Sequence, residues 1–153
     1  MHGLGNDYII LDNRKKLVKE EEKSGLAFKL CKRKFSVGAD GLIFVETSTI
    51  ADVKMRIFNS DGGEAEMCGN GIRCLAKYCY EKGIVKKKEF NIETLAGIRK
   101  VWLNLNGREV KSVRVDMGTP RFERKHVPMV GEGTCIDEEL EVEGKKFRVT
   151  CLS

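Results

Sequence analysis

No apolar run in this 153-residue chain approaches the roughly 20 residues that a membrane-spanning helix needs. No membrane segment is therefore expected. A basic stretch followed by a long apolar one is also missing from residues 1 to 12, so no secretory signal is read there. The six cysteines, at 31, 68, 74, 79, 135 and 151, contain no C-x2-C pair, and only two histidines accompany them. That argues against zinc, and no metal is expected. Without a secretory signal the cysteines read as free thiols in a reducing cytoplasm. The basic runs, Arg14-Lys15-Lys16, Lys32-Arg33-Lys34 and Lys86-Lys87-Lys88, lack interleaved aromatics, and Glu20-Glu21-Glu22 soon balances the first. A net charge of +5 on such runs describes solvated faces, not a nucleic-acid surface. Neither an internal repeat nor a linker interrupts the chain, and its length suffices for about two-thirds burial of the unfolded surface. A single domain over residues 1–153 is expected.

The most informative stretch is Met67-Cys68-Gly69-Asn70-Gly71-Ile72-Arg73-Cys74, where a Gly-rich turn carrying a cysteine opens into a helical pattern. Ile72, Leu75, Ala76 and Cys79 follow the i, i+3, i+4, i+7 spacing, and Gly83 stands where a C-cap would end the helix. Cys68 falls at or just before that helix's N-terminus. Unpaired N–H groups and the positive end of the macrodipole there favour a thiolate. The same N–H groups, from Gly69, Asn70 and Gly71, would also hold a carboxylate. Buried packing is the usual fate of a free cysteine. Cys74 and Cys79, on or beside the apolar stripe, read that way, as do Cys31, Cys135 and Cys151.

Elsewhere the chain reads as short strands. His2-Gly3-Leu4-Gly5-Asn6-Asp7 is a tight loop feeding a buried strand at Tyr8-Ile9-Ile10-Leu11. Its Gly-x-Gly precedes the strand and lacks a third glycine, which rules out a dinucleotide fingerprint. A helix is expected over 24–35, capped by Ser24, with Leu26, Ala27, Leu30 and Cys31 on one face. Strands follow at Leu42–Val45 and around Val53, Met55 and Ile57. The turn Asn59-Ser60-Asp61-Gly62-Gly63 then returns the chain through Ala65 and Met67 to Cys68. From Phe90 onward the pattern is all strand, with a hairpin at Asn106-Gly107 and another at Gly144; Trp102 reads as packing. The expected fold is α+β, a mixed and mostly antiparallel sheet curled around the Cys68 to Lys82 helix.

The segments MHGLGNDYIILD, VGADGLIF, RIFNSDGGEAEMCGNGIRC and VDMGTPRF, in this order, resemble the signatures of the diaminopimelate epimerase family. The resemblance covers most of the chain but only that family's N-terminal half. VTCLS stops where the second half would begin, so a C-terminal half domain with a second catalytic cysteine is the implied partner. The implied activity is the interconversion of LL- and meso-diaminopimelate by two-cysteine acid/base chemistry without a cofactor, on the route to lysine and peptidoglycan precursors. Carried over by motif, Cys68 is catalytic, and Asn6, Asn59, Gly69 and Asn70 bind the amino acid substrate. Some members of the family carry a substrate-contacting glutamine where this chain has Gly41.

A single thiol on one face would return the proton it took, so inversion needs a second. Cys74 lies about one and two-thirds helical turns from Cys68 and is a poor candidate. Two other readings share these features. Proline and hydroxyproline racemases use the same two-cysteine logic, although the Asn6 and Asn59 motifs favour diaminopimelate. A non-catalytic binding module would keep the anion-binding turn without the chemistry. Apolar surface left by an absent second half would favour association, including homo-oligomers.

Overall fold

The run Gly41–Glu46 is buried along almost its whole length, which in a strand requires cover on both faces. In the computed structural model, which describes residues 1–127 and 129–153, two helices supply that cover. Strands β1 (His2–Gly3) and β2 (Asn6–Asp12) precede helix α1 (Lys23–Leu30). Strands β3 (Gly41–Glu46), β4 (Val53–Asn59) and β5 (Glu64–Ala65) then lead to helix α2 (Gly69–Glu81). Strands β6 (Glu89–Thr94), β7 (Gly97–Asn106) and β8 (Glu109–Val115) complete a sheet of order β1-β2-β3-β4-β6-β7-β8, with β5 beside β4. The β2/β3 and β4/β6 pairs are parallel, and the others in this sheet are antiparallel. A parallel pair needs a crossover connection, and α1 and α2 are those two crossovers.

Strand alternation assigns each helix its own core. Ile43, Val45, Met55 and Ile57 join Ile72, Leu75, Ala76 and Cys79 of α2, whereas Leu42, Phe44 and Phe58 join Ala27 and Cys31 of α1. Helix α2 touches β1 and β2 at one end of the sheet order and β7 and β8 at the other, so the sheet is curled about it. This is the expected α+β arrangement. Ile72 and Leu75 are fully buried, each stabilising the fold by about 1.5–3 kcal/mol relative to exposure.

Several boundaries differ from the sequence expectation. Helix α1 begins at Lys23 and ends at Leu30, and Glu22, not Ser24, is its N-cap. Glu20–Glu22 form a 3-10 turn that leads into it, fixed by the Glu22 carboxylate accepting from the Lys19 N–H at 2.9 Å. Beyond Cys31 the chain leaves the helix through positive φ at Lys34. Lys23, nearly fully buried, is neutralised by Glu20 and Glu46, each at 2.6 Å. The all-strand reading after Phe90 fails over residues 116–137. Apart from one bridge between Glu123 and Thr134, the described residues there are loop and turn.

Contacts divide the chain into two compact units, Met1–Met117 and Gly118–Ser153, at the point where β8 has ended. The second unit holds the hairpin β9 (Glu138–Val142) and β10 (Lys145–Val149), as expected about Gly144. Cys135 is buried within it, and the Cys151 N–H donates to the Cys135 carbonyl at 3.0 Å. Among the described residues no helix is long and apolar enough to cross a membrane, and no group of potential metal ligands is present.

Gly41 is a packing constraint. A Cβ there would lie 2.9 Å from the Phe58 carbonyl oxygen and 3.4 Å from the Tyr8 ring, so the strands leave no room for a side chain. The glutamine that some relatives were expected to place here has no space on this backbone. By contrast, Gly25 in α1 has nothing within 4 Å of such a Cβ. In urea titrations Gly41→Ala should lose about 1–3 kcal/mol of stability to overpacking. Gly25→Ala should instead gain about 0.5–1 kcal/mol by favouring the helix. Equal effects at the two sites would contradict the packing.

Candidate active site

Cys68 is the N-cap of α2. Its backbone is extended (φ −140°, ψ 121°), and its Sγ accepts from the Gly71 N–H at 3.5 Å. The helix can start this close to the sheet because residue 71 has no side chain. A Cβ on Gly71 would meet Ile43 Cδ1 at 3.0 Å and Ile57 Cδ1 at 3.2 Å. Gly71 was expected to offer its N–H to a carboxylate, but in the structure that N–H faces the thiol. Gly69 and Asn70 keep the role open, since first-turn N–H groups have no intrahelical acceptor. Such a turn carries partial positive charge toward any anion in front of it.

Three of the sequence-predicted residues come together. The Asn6 amide oxygen accepts from Asn70 Nδ2 at 3.3 Å and lies 3.9 Å from Cys68 Sγ. Asn70 is in turn held by Arg73, whose guanidinium donates to the Asn70 amide oxygen and, at 2.9 Å, to the Gly69 carbonyl. Asn59 is not part of this cluster. It is exposed at the end of β4, where its backbone closes the turn with Gly62 and Gly63. The register nonetheless aligns Tyr8, Gly41 and Asn59 across β2, β3 and β4. Aligned residues share a face, so Asn59 sits on the α2 side, two strand spacings or about 10 Å from Tyr8.

Sequence reasoning missed Tyr8, Asp40 and Arg33. Tyr8 is 5% exposed, and its hydroxyl lies 2.9 Å from Cys68 Sγ while also bonding the Asn6 amide oxygen. Burial, reinforced by the bond to Cys68, pushes the phenol well above its ordinary range, so it keeps its proton. Asp40 accepts from Asn6 Nδ2 at 2.9 Å, from the Asp7 N–H at 3.0 Å and from Arg33 at 2.9 Å. Those bonds, the one from Asn6 foremost, hold its carboxyl well below the usual carboxylate range. The signal for Asp40 was its place in VGADGLIF, one of the segments that carry the family resemblance; a tyrosine opening a buried strand carried no signal beyond packing.

The other thiols lie in different surroundings. Burial raises Cys31 and Cys74 above the ordinary thiol range and pushes Cys79 up to about 12. Cys151, half-buried in the second unit, is raised chiefly by its bond to Cys135. Cys68 alone among the six combines partial exposure with a helix N-cap. The arrangement can take up or release a proton at Sγ next to an anion-binding turn. It offers an amide acceptor, Asn6, a few ångströms away.

The family model for diaminopimelate epimerase matches residues 1–123. A diaminopimelate epimerase from Pelotomaculum thermopropionicum is 53% identical over 99% of this chain and 55% of its own length. That of Caldanaerobacter subterraneus subsp. tengcongensis is 52% identical over 99% of the chain and 54% of its own length. The chain thus spans about half the length of the curated relatives it matches. Among solved structures, a Bacillus anthracis phenazine biosynthesis protein of the PhzF family superimposes with a TM-score of 0.62 at 28% identity, covering 80% of this chain and 38% of that one. A hydroxyproline epimerase from Agrobacterium vitis reaches 0.59 at 17% identity, over 88% and 38%, a likeness of fold.

Thiol surroundings of this kind predict an order of modification. Limited iodoacetamide treatment near neutral pH, read by peptide mass spectrometry, should label Cys68 well ahead of Cys31, Cys74 and Cys79. Labelling of Cys68 no faster than those three would contradict the site.

Proposed function

Because the chain belongs to the diaminopimelate epimerase family, we propose that it supplies one face of a cofactor-independent epimerase site interconverting LL- and meso-diaminopimelate. The observation that carries this reading is Cys68 as the N-cap of α2, with Sγ beside Tyr8 and Asn6 at the mouth of an open helix N-terminus. About half identity to diaminopimelate epimerases over the whole chain supports the choice of substrate over proline-type amino acids.

In this mechanism the Cys68 thiolate removes the α-hydrogen as a proton, and the C–H electron pair moves into the carboxylate as an enediolate. The N–H groups of Gly69 and Asn70 stabilise that charge. A preorganised donor of this kind contributes about 10²–10³-fold in rate. A thiol on the opposite face then protonates the same carbon, inverting it. In the reverse direction the Cys68 thiol is the donor. The Asn6 amide oxygen suits the substrate ammonium, since its Nδ2 is already committed to Asp40. Asn59, on the same face of the sheet, suits polar groups farther along the substrate.

No second thiol of this chain answers the description of Cys68. Cys74 is buried about one and two-thirds turns farther along α2, and Cys79 is fully buried beyond it. The second acid is assigned to a C-terminal half domain, which the twofold greater length of the relatives supports. The product feeds lysine and peptidoglycan precursors, chemistry of the cytoplasm. In a protein joining this chain to that half, Cys68→Ala should lower kcat by about 10²–10⁴-fold, the usual worth of a positioned acid/base group. Full activity in a folded Cys68→Ala protein would remove Cys68 from the mechanism.

A further inference from the structure

The hydrogen bonds around Cys68 run in one direction. Asp40, a carboxylate, can only accept, and it takes a hydrogen from Asn6 Nδ2 at 2.9 Å. That fixes the Asn6 amide with its oxygen turned toward the thiol. The oxygen can also only accept, and it takes hydrogens from Asn70 Nδ2 and from the Tyr8 hydroxyl. Tyr8 has one hydrogen, which this arrangement directs at Asn6. Its oxygen then faces Cys68 Sγ, 2.9 Å away, as an acceptor, and the thiol hydrogen, whose other acceptor in reach is the Asn6 oxygen at 3.9 Å, is directed at the nearer Tyr8 oxygen.

A thiolate cannot supply that hydrogen. We propose that Tyr8 is a positioning residue for Cys68, its hydroxyl accepting from the thiol and turning to donate to the thiolate, and that this turn frees the Asn6 amide oxygen for a substrate ammonium. Proton loss from Sγ and the opening of an acceptor for the substrate are thereby one event. The turn replaces a weak S–H···O bond and a neutral O–H···O bond with one charge-assisted bond about twice as strong as a neutral one; because a thiol is a poor donor, Tyr8 favours the thiolate on balance. The inference rests on Cys68 as the acid/base thiol proposed above.

Charged and titratable groups face this pair from each neighbouring element. Arg73 and Cys74 lie on α2, Asp40 with Arg33 behind it stands before β3, and the Met1 amino group donates to the Tyr8 carbonyl at 2.8 Å. All are common to the parent chain and a Tyr8→Phe variant, so the difference between their pH profiles isolates the hydroxyl.

The test is iodoacetamide alkylation of the 153-residue chain between pH 6 and 9, with Cys68 followed by peptide mass spectrometry and folding checked by circular dichroism. The thiolate displaces iodide, so the rate reports the thiolate fraction. Tyr8→Phe should slow Cys68 alkylation about tenfold at neutral pH and move its pH midpoint up by about one unit. Asp40→Asn should act in the opposite sense, because the Asn6 amide can then turn and release the Tyr8 hydrogen to Sγ. Most of that gain should disappear in the double variant. A Tyr8→Phe profile superimposable on the parent's, or an Asp40→Asn gain fully retained without Tyr8, would overturn the role of Tyr8 alone. A parent Cys68 that stays unlabelled at pH 9 would overturn the acid/base reading beneath it.

Discussion

The site depends on how deeply α2 is buried. Ile72, Leu75, Ala76 and Cys79 are fully enclosed by a sheet that curls around the helix, and this burial holds the helix against β2, β3 and β4. Gly71 eases the approach, since a Cβ there would crowd the Cδ1 atoms of Ile43 and Ile57. With the helix seated at that depth, its N-cap meets the Tyr8 hydroxyl of β2 across 60 residues of sequence. A helix displaced by one side-chain diameter would separate the thiol from both Tyr8 and Asn6.

Burial alone would leave the thiol's hydrogen undirected. The direction comes from the exposed pair of Arg33 and Asp40, which anchors the Asn6 amide and through it the Tyr8 hydroxyl. A surface ion pair is ordinarily worth little to stability. Here its value is orientation, because a carboxylate cannot reverse its role in a hydrogen bond. The apolar core sets distance and this polar chain sets polarity.

Much of this was legible before the structure. The bounds of α2 followed from a Gly-rich entry and a Gly83 exit, and the β7–β8 hairpin followed from Asn106-Gly107, because each rests on local backbone chemistry. The curled sheet followed from many short strands around one helix with a clear apolar stripe. Other features depended on contacts between distant segments. The ends of helix α1 differ from its apolar pattern because the Glu20–Glu22 turn initiates it, a role that acidic residues do not announce. Tyr8 looked like core, and it is core; only the parallel β2/β3 register brings its hydroxyl to the α2 N-cap. The alignment of Tyr8, Gly41 and Asn59 and the lack of room at Gly41 belong to the same register. Side chains whose packing and chemistry coincide in one residue give a sequence only the packing signal.

This chain, as proposed, carries one acid/base face of a two-faced site. Proton NMR of LL-diaminopimelate in deuterated buffer tests it most directly, with this chain alone and then with the C-terminal half of a related epimerase added. Meso product carrying deuterium at the inverted carbon is expected only in the mixture. Inversion by this chain alone, or none from a mixture shown to be folded and associated, would contradict it.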